Sequence, residues 1–150
     1  MKIIILLIPV VLLVTAVSTF GQTRPKPTAT PAIAQAARST AAYAEIALKR
    51  TEVEAELESL LVDYTDEFPK VKELKHALQR IDSEGTRLAA IKPGDRDRAT
   101  IALGKLMVRK VEAEVDLWKL QQQYADEHPD VRRAKKRVEI FDKAIKEILG

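Results

Sequence analysis

The sequence predicts an all-α protein: antiparallel helical hairpins forming a coiled-coil bundle, the product of an internal duplication. Three observations carry this. Aromatic residues are only 5% and glycines number 5, which disfavours sheet, while charged residues reach 31%. Apolar residues recur at steps of three and four over most of the chain. Its two halves also match each other at an offset of 60 residues.

Residues 1–21 read as an export signal. Lys2 is a short basic start, Ile3 to Val17 are apolar apart from Pro9 and Thr15, and Thr19 and Gly21 are small residues before a cut ahead of Gln22. A membrane anchor through residues 3–20 is the alternative, since a spanning helix needs roughly 20 residues. The expected location is therefore the periplasm or the exterior after cleavage, or the inner membrane facing the periplasm. Residues 22–31 (QTRPKPTATP) form a proline-rich linker. Thr30 and Pro31 give a helix start, cap followed by proline.

A first helix–break–helix repeat is expected over 32–91. Tyr43, Ile46, Val53, Leu57, Leu60 and Tyr64 form one seam, with Arg50 its only polar position. Val71, Leu74, Leu78, Ile81 and Leu88 form a second, with Gly85 at a missing position. Lys92-Pro93-Gly94-Asp95 suits a type II turn, with Asp95 capping the next helix. The second repeat is expected over 96–150. Its seams are Leu103, Leu106, Ala113, Leu117, Leu120 and Tyr124, interrupted by Lys110, then Val131, Ala134, Val138, Phe141, Ile145 and Ile148. Met107, Val111 and Trp118 widen the third seam as packing residues.

The two break motifs are the most specific signal. Tyr64, Asp66, Pro69 and Val71 match Tyr124, Asp126, Pro129 and Val131, with Phe68 in one copy where the other has His128. Proline keeps the residue before it out of helix, so each half breaks there. The aspartates are expected to cap the restarted helices, and each tyrosine to pack on its valine. Two geometries follow. If the breaks reverse the chain, four segments bundle; if they only kink it, the halves form one long hairpin about Pro93-Gly94.

The segments YTDEFPKVKELKHAL and YADEHPDVRRAKKRV resemble a motif in the periplasmic coiled coils of bacterial polysaccharide co-polymerases, the chain-length determinant and exopolysaccharide transport family. Tyr124, His128, Pro129 and Val131 match the motif; Tyr64, Thr65, Pro69, Val71 and Leu74 match with Phe68 for histidine. The resemblance covers only the coiled-coil part. It lacks that family's second membrane helix and the phosphate-binding loop of its kinase members. It implies a role in polysaccharide assembly or export.

Chemistry-bearing candidates are few. The chain has no cysteine, which excludes disulfides, thiolate metal sites and a lipidated cysteine. Asp126, Glu127, His128 and Asp130 are adjacent rather than spaced along a helix face, so they read as turn and cap residues, not metal ligands. No catalytic or cofactor-binding residue is assigned. Arg132, Arg133, Lys135, Lys136 and Arg137 form a basic patch for an anionic partner, weighed against an ordinary solvated helix face. One further expectation pairs this run with Glu52, Glu54, Glu56 and Glu58. His76 is expected to be exposed. With 25 basic and 22 acidic residues the chain is not a polycation, and nucleic acid is not an expected partner. The functional expectation is a non-catalytic scaffolding or interaction protein of the cell envelope, working on a protein partner or on itself. A periplasmic holdase chaperone with basic helical arms is the alternative.

Overall fold

The computed structural model describes residues 35–150. The export signal, the linker, the Thr30-Pro31 helix start and residues 32–34 of the first repeat lie outside the described residues. Four helices of 21 residues each dominate: α1 (Ala41–Leu61), α2 (Pro69–Ala89), α3 (Ile101–Gln121) and α4 (Pro129–Leu149). The all-α expectation holds, and the duplication is now structural. Both helices of the second half start and end 60 residues after their counterparts.

Local chemistry sets these boundaries. Thr40 caps α1, its hydroxyl accepting from the Tyr43 amide at 3.3 Å; Thr100 caps α3 by accepting from Leu103 at 3.4 Å. Pro69 and Pro129 each open a helix, where a missing N–H costs nothing. Ahead of them Phe68 (φ −62°, ψ 130°) and His128 (φ −59°, ψ 137°) are extended, as the prolines require. Even the turn hydrogen bonds repeat. Tyr64 donates to Leu60 and Phe68 to Thr65, matching Tyr124 to Leu120 and His128 to Ala125.

Each break reverses the chain, so the bundle geometry holds and the long hairpin does not. Arg50 pairs with Asp82 and Lys70 with Glu56 across α1 and α2; Lys110 reaches Asp142 and Arg137 reaches Asp116 across α3 and α4. The two hairpins then stack side by side. Their first helices run parallel, with Ala42 against Gly104 and Lys49 3.1 Å from Glu112. A β-carbon at Gly104 would lie 2.7 Å from the Ala42 carbonyl, so glycine is what lets α1 and α3 touch. Consequently α3 is central, packing on α1, α2 and α4.

The connection differs from the expected turn. Pro93–Arg98 form a 3-10 helix, and Gly94 does not take the positive φ that a type II turn requires. Asp95 pairs with Arg98 instead of capping α3. Buried Ile91 and Ala99 pin the two ends of this bridge, which carries the chain from α2 to a position beside both earlier helices. Residues 90–100 link the two hairpins, and α3 itself starts at Ile101.

The core follows the seams, with one correction. Ile46, Val53, Leu57, Val71, Leu74, Ile81, Leu88, Leu103 and Ile145 are buried as expected. On α3, however, Met107, Val111 and Val115 are buried beside the seam residues Leu103 and Ala113, while Leu106, Leu117 and Leu120 are half-buried. A central helix has two apolar faces, and a one-seam reading captures only one of them.

Candidate interaction surfaces

Parallel stacking of α1 on α3 brings both break motifs to one end of the bundle. There Tyr64 stacks on Phe68 with ring centroids 4.1 Å apart, and Tyr124 on His128 at 4.2 Å. The tyrosines therefore pack on the residue before the proline, not chiefly on the valines; they stay 46% and 43% exposed while Val71 and Val131 are fully buried. The reason is the extended residue itself, whose ring projects back over the turn. Nor do the aspartates cap. Asp66 holds Lys75 at 2.7 Å and Asp126 holds Lys135 at 2.9 Å, clamping each loop to the following helix. A hydrogen bond from Gln121 and the Lys135 ammonium keep the Asp126 carboxyl below its ordinary range. His128 caps α4 itself, its Nδ1 accepting from the Asp130 amide at 3.3 Å, whereas Phe68 offers no cap to α2. Asp126, Glu127, His128 and Asp130 are used in this local way, and no metal-binding group of three such residues forms among the described residues.

Beside the first break lies an open groove of about 530 Å³, lined by Phe68, Lys70, Lys72, Trp118, Lys119 and Gln122 among others. Trp118 forms its floor with one face committed elsewhere. It stacks on His76 at 5.0 Å between ring centroids, so His76 is half-buried rather than exposed. Burial, and then the Arg80 charge, push the His76 pKa down.

A second feature was only half visible in the sequence. Lys110, the polar interruption in the third seam, is 7% exposed and meets Glu84, which is 2% exposed, at 2.5 Å. Glu114 lies 3.2 Å from the same ammonium and Asp142 3.7 Å. Arg80 grips Glu114 with two hydrogen bonds of 2.8 and 2.6 Å, and Arg87 donates to Asp142 at 3.0 Å. Lys146 adds a 2.7 Å contact to Asp142, so four cations face three carboxylates where α2, α3 and α4 meet. Burial alone would raise the Glu114 carboxyl, yet Arg80 and Lys110 hold it below its ordinary value. Burial likewise opposes the Lys110 charge, and Glu84 and Glu114 override it. One Glu84 oxygen has no hydrogen-bond partner and lies 3.8 Å from the Arg87 guanidinium. By joining α2, α3 and α4, the cluster fixes how the hairpins register.

Four of the five residues of the basic run form ion pairs within the chain. Arg133 pairs with Asp130, Lys135 with Asp126, Lys136 with Glu139 and Arg137 with Asp116; for Arg132 no ion pair forms among the described residues. Its expected pairing with the α1 acids does not occur within the chain. Glu52 and Glu54 meet Lys49 and Arg50, Glu56 meets Lys70, and α4 packs chiefly on α3, away from α1.

Among the described residues no helix is long and apolar enough to cross a membrane. No family model, curated protein or solved structure matches the chain.

Proposed function

We propose that the chain is a non-catalytic scaffolding or interaction protein of the cell envelope that docks a protein partner through the paired-loop end of its bundle. The observation that carries this reading is the convergence of two copies of one exposed aromatic stack, Tyr64–Phe68 and Tyr124–His128, at a single end. Aromatic rings ordered by a neighbour lose little freedom on binding, which suits them to anchor an interface. The buried charge cluster, in which every cation meets a carboxylate, supports a structural rather than a catalytic use of the interior. The envelope location rests on the signal-like residues 1–21, and a link to polysaccharide assembly rests on the resemblance of the break motifs alone.

Crosslinking of the full chain in envelope fractions tests the reading. Tyr64→Ala with Tyr124→Ala should abolish capture of a specific partner while circular dichroism stays helical. Capture that is indifferent to both tyrosines contradicts it. Suppression of an unfolded client's aggregation at near-stoichiometric ratio would favour the holdase alternative instead.

A further inference from the structure

The two hairpins meet through unlike faces, and each of these faces has an outward counterpart. On the first hairpin, α3 lies across a groove lined by Lys49, Val53, Ala77 and Ile81, with Val111 and Val115 turned to it. Sixty residues on, the matching groove of the second hairpin is open; it is lined by Arg109, Glu112, Ala113, Asp116, Arg137 and Phe141. At the other side of the stack, α1 turns outward the counterparts of the inserted α3 ridge. Ala47, Thr51 and Ala55 stand 60 residues before Met107, Val111 and Val115.

We infer that a second copy of this chain stacks head to tail on the α3–α4 hairpin, its α1 taking the place that α3 takes on the first. This deepens the proposed function and rests on reading the chain as a contact protein. The internal stack supplies the register. Lys49 with Glu112 becomes Arg109 with Glu52 of the next copy, and Arg137, the counterpart of Ala77, falls beside Glu52 and Glu56 of that copy. Each of these groups already has a partner in its own hairpin, Arg109 with Glu112, Arg137 with Asp116, Glu52 with Lys49 and Glu56 with Lys70, and the contact adds a second, just as Glu112 meets both Arg109 and Lys49 inside the chain. Ile140, 58% exposed, and Ala144 stand where Arg80 and Glu84 stand. They cover Glu54 and Arg50 of the next copy, and that arginine already holds Glu54 and Asp82, so no charge is stranded.

Two contacts fit less well than inside the chain. Ala44 replaces Gly104, so the copy sits slightly further out at that end. Glu147 replaces Arg87 and faces Asp82, where the internal stack has Arg87 against Asp142. The contact is therefore weaker than the internal one. Because its two faces differ, it does not close on itself and grows open-ended.

Sedimentation velocity of the full chain in non-ionic detergent, over concentration and salt series, tests this. Open-ended association that weakens with salt is expected. Arg109→Glu with Arg137→Glu, or Glu52→Lys with Glu56→Lys, should each weaken it about tenfold or more, and mixing the two variants should restore it. Glu147→Lys should tighten it several-fold, and Ala44→Gly should add to that gain. A monodisperse chain, or a closed dimer indifferent to these charges, overturns the proposal. So does association that begins only after residues 1–34 are removed, which would assign the outer face of α1 to the chain's own N-terminal segment. A monomer that still captures its partner through Tyr64 and Tyr124 overturns the stacking alone; a stacking chain that captures nothing overturns only the partner reading.

Discussion

The two hairpins share a plan but use the same charged triad in opposite surroundings. In the first, Arg50 sits at the seam with Glu54 four residues on and Asp82 facing it from α2. In the second, Lys110, Glu114 and Asp142 hold the same three positions 60 residues later. The first triad is solvated; the second is covered by α2, which adds Glu84 and Arg80 to it. One pattern is thus a surface ion pair in one context and a buried network in the other. What separates them is the neighbour, not the motif.

The largest expected effect tests that contrast. Lys110→Ala leaves Glu84 and Glu114 facing each other in the interior and should cost about 3–5 kcal/mol, whereas Arg50→Ala should cost less than about 1 kcal/mol. Chemical denaturation of the two variants measures both. Equal losses would mean that the burial contrast has no energetic meaning. Replacing Glu84 by Leu together with Lys110 by Met should recover most of the loss, because Arg80 and Glu114 still satisfy each other.

Glycine substitutions sharpen the same comparison. Gly104→Ala drives a methyl against the Ala42 backbone and should destabilise by about 1–3 kcal/mol. Gly85→Ala meets nothing closer than the Ile46 side chain at 3.9 Å and should stabilise α2 by about 0.5–1 kcal/mol. Thermal melts of the pair would break the account if the order reversed.

Acid should act mainly on the second hairpin. The lowered carboxyls of Glu114, held by Arg80 and Lys110 against burial, and of Asp142, held first by Lys146, contribute stability above the ordinary carboxylate range. That contribution is lost as the pH falls through their depressed folded values. A smaller loss should begin earlier. The His76 pKa is lowered by burial, so its contribution is full above the usual histidine value of 6.5 and declines as pH falls from there through the lower folded value. His76→Gln should remove the early phase of a stability-against-pH curve and leave the acid phase.

Much of this was legible in the residues. Seam spacing gave the helices, and Pro69 and Pro129 gave the breaks, because both signals are local. Arg50 and Lys110 stood out as interruptions, yet nothing near Lys110 revealed that Glu84, 26 residues earlier on another helix, would be its partner. Glu84 did carry a trace of its burial, standing three residues after Ile81 and four before Leu88, while the seam reading assigned that slot to Gly85. The direction of chain reversal, the second apolar face of α3 and the His76–Trp118 stack depend on contacts between helices, which periodicity along one helix does not encode. The smallest predicted effect belongs to the two threonine caps. Thr40→Ala and Thr100→Ala should each cost about 1 kcal/mol, equally in the two hairpins, by loss of a cap that only the structure reveals, since the sequence pointed to Asp95 for α3.

Everything here depends on hairpins stacked with α1 and α3 parallel, and the cysteine-free chain allows a direct distance measurement. Spin labels at Ala41→Cys and Ala102→Cys, both exposed positions, should report a separation below about 25 Å, roughly two helix diameters. A separation near 60 Å, as a single long hairpin with about 1.5 Å rise per residue would give, contradicts the account.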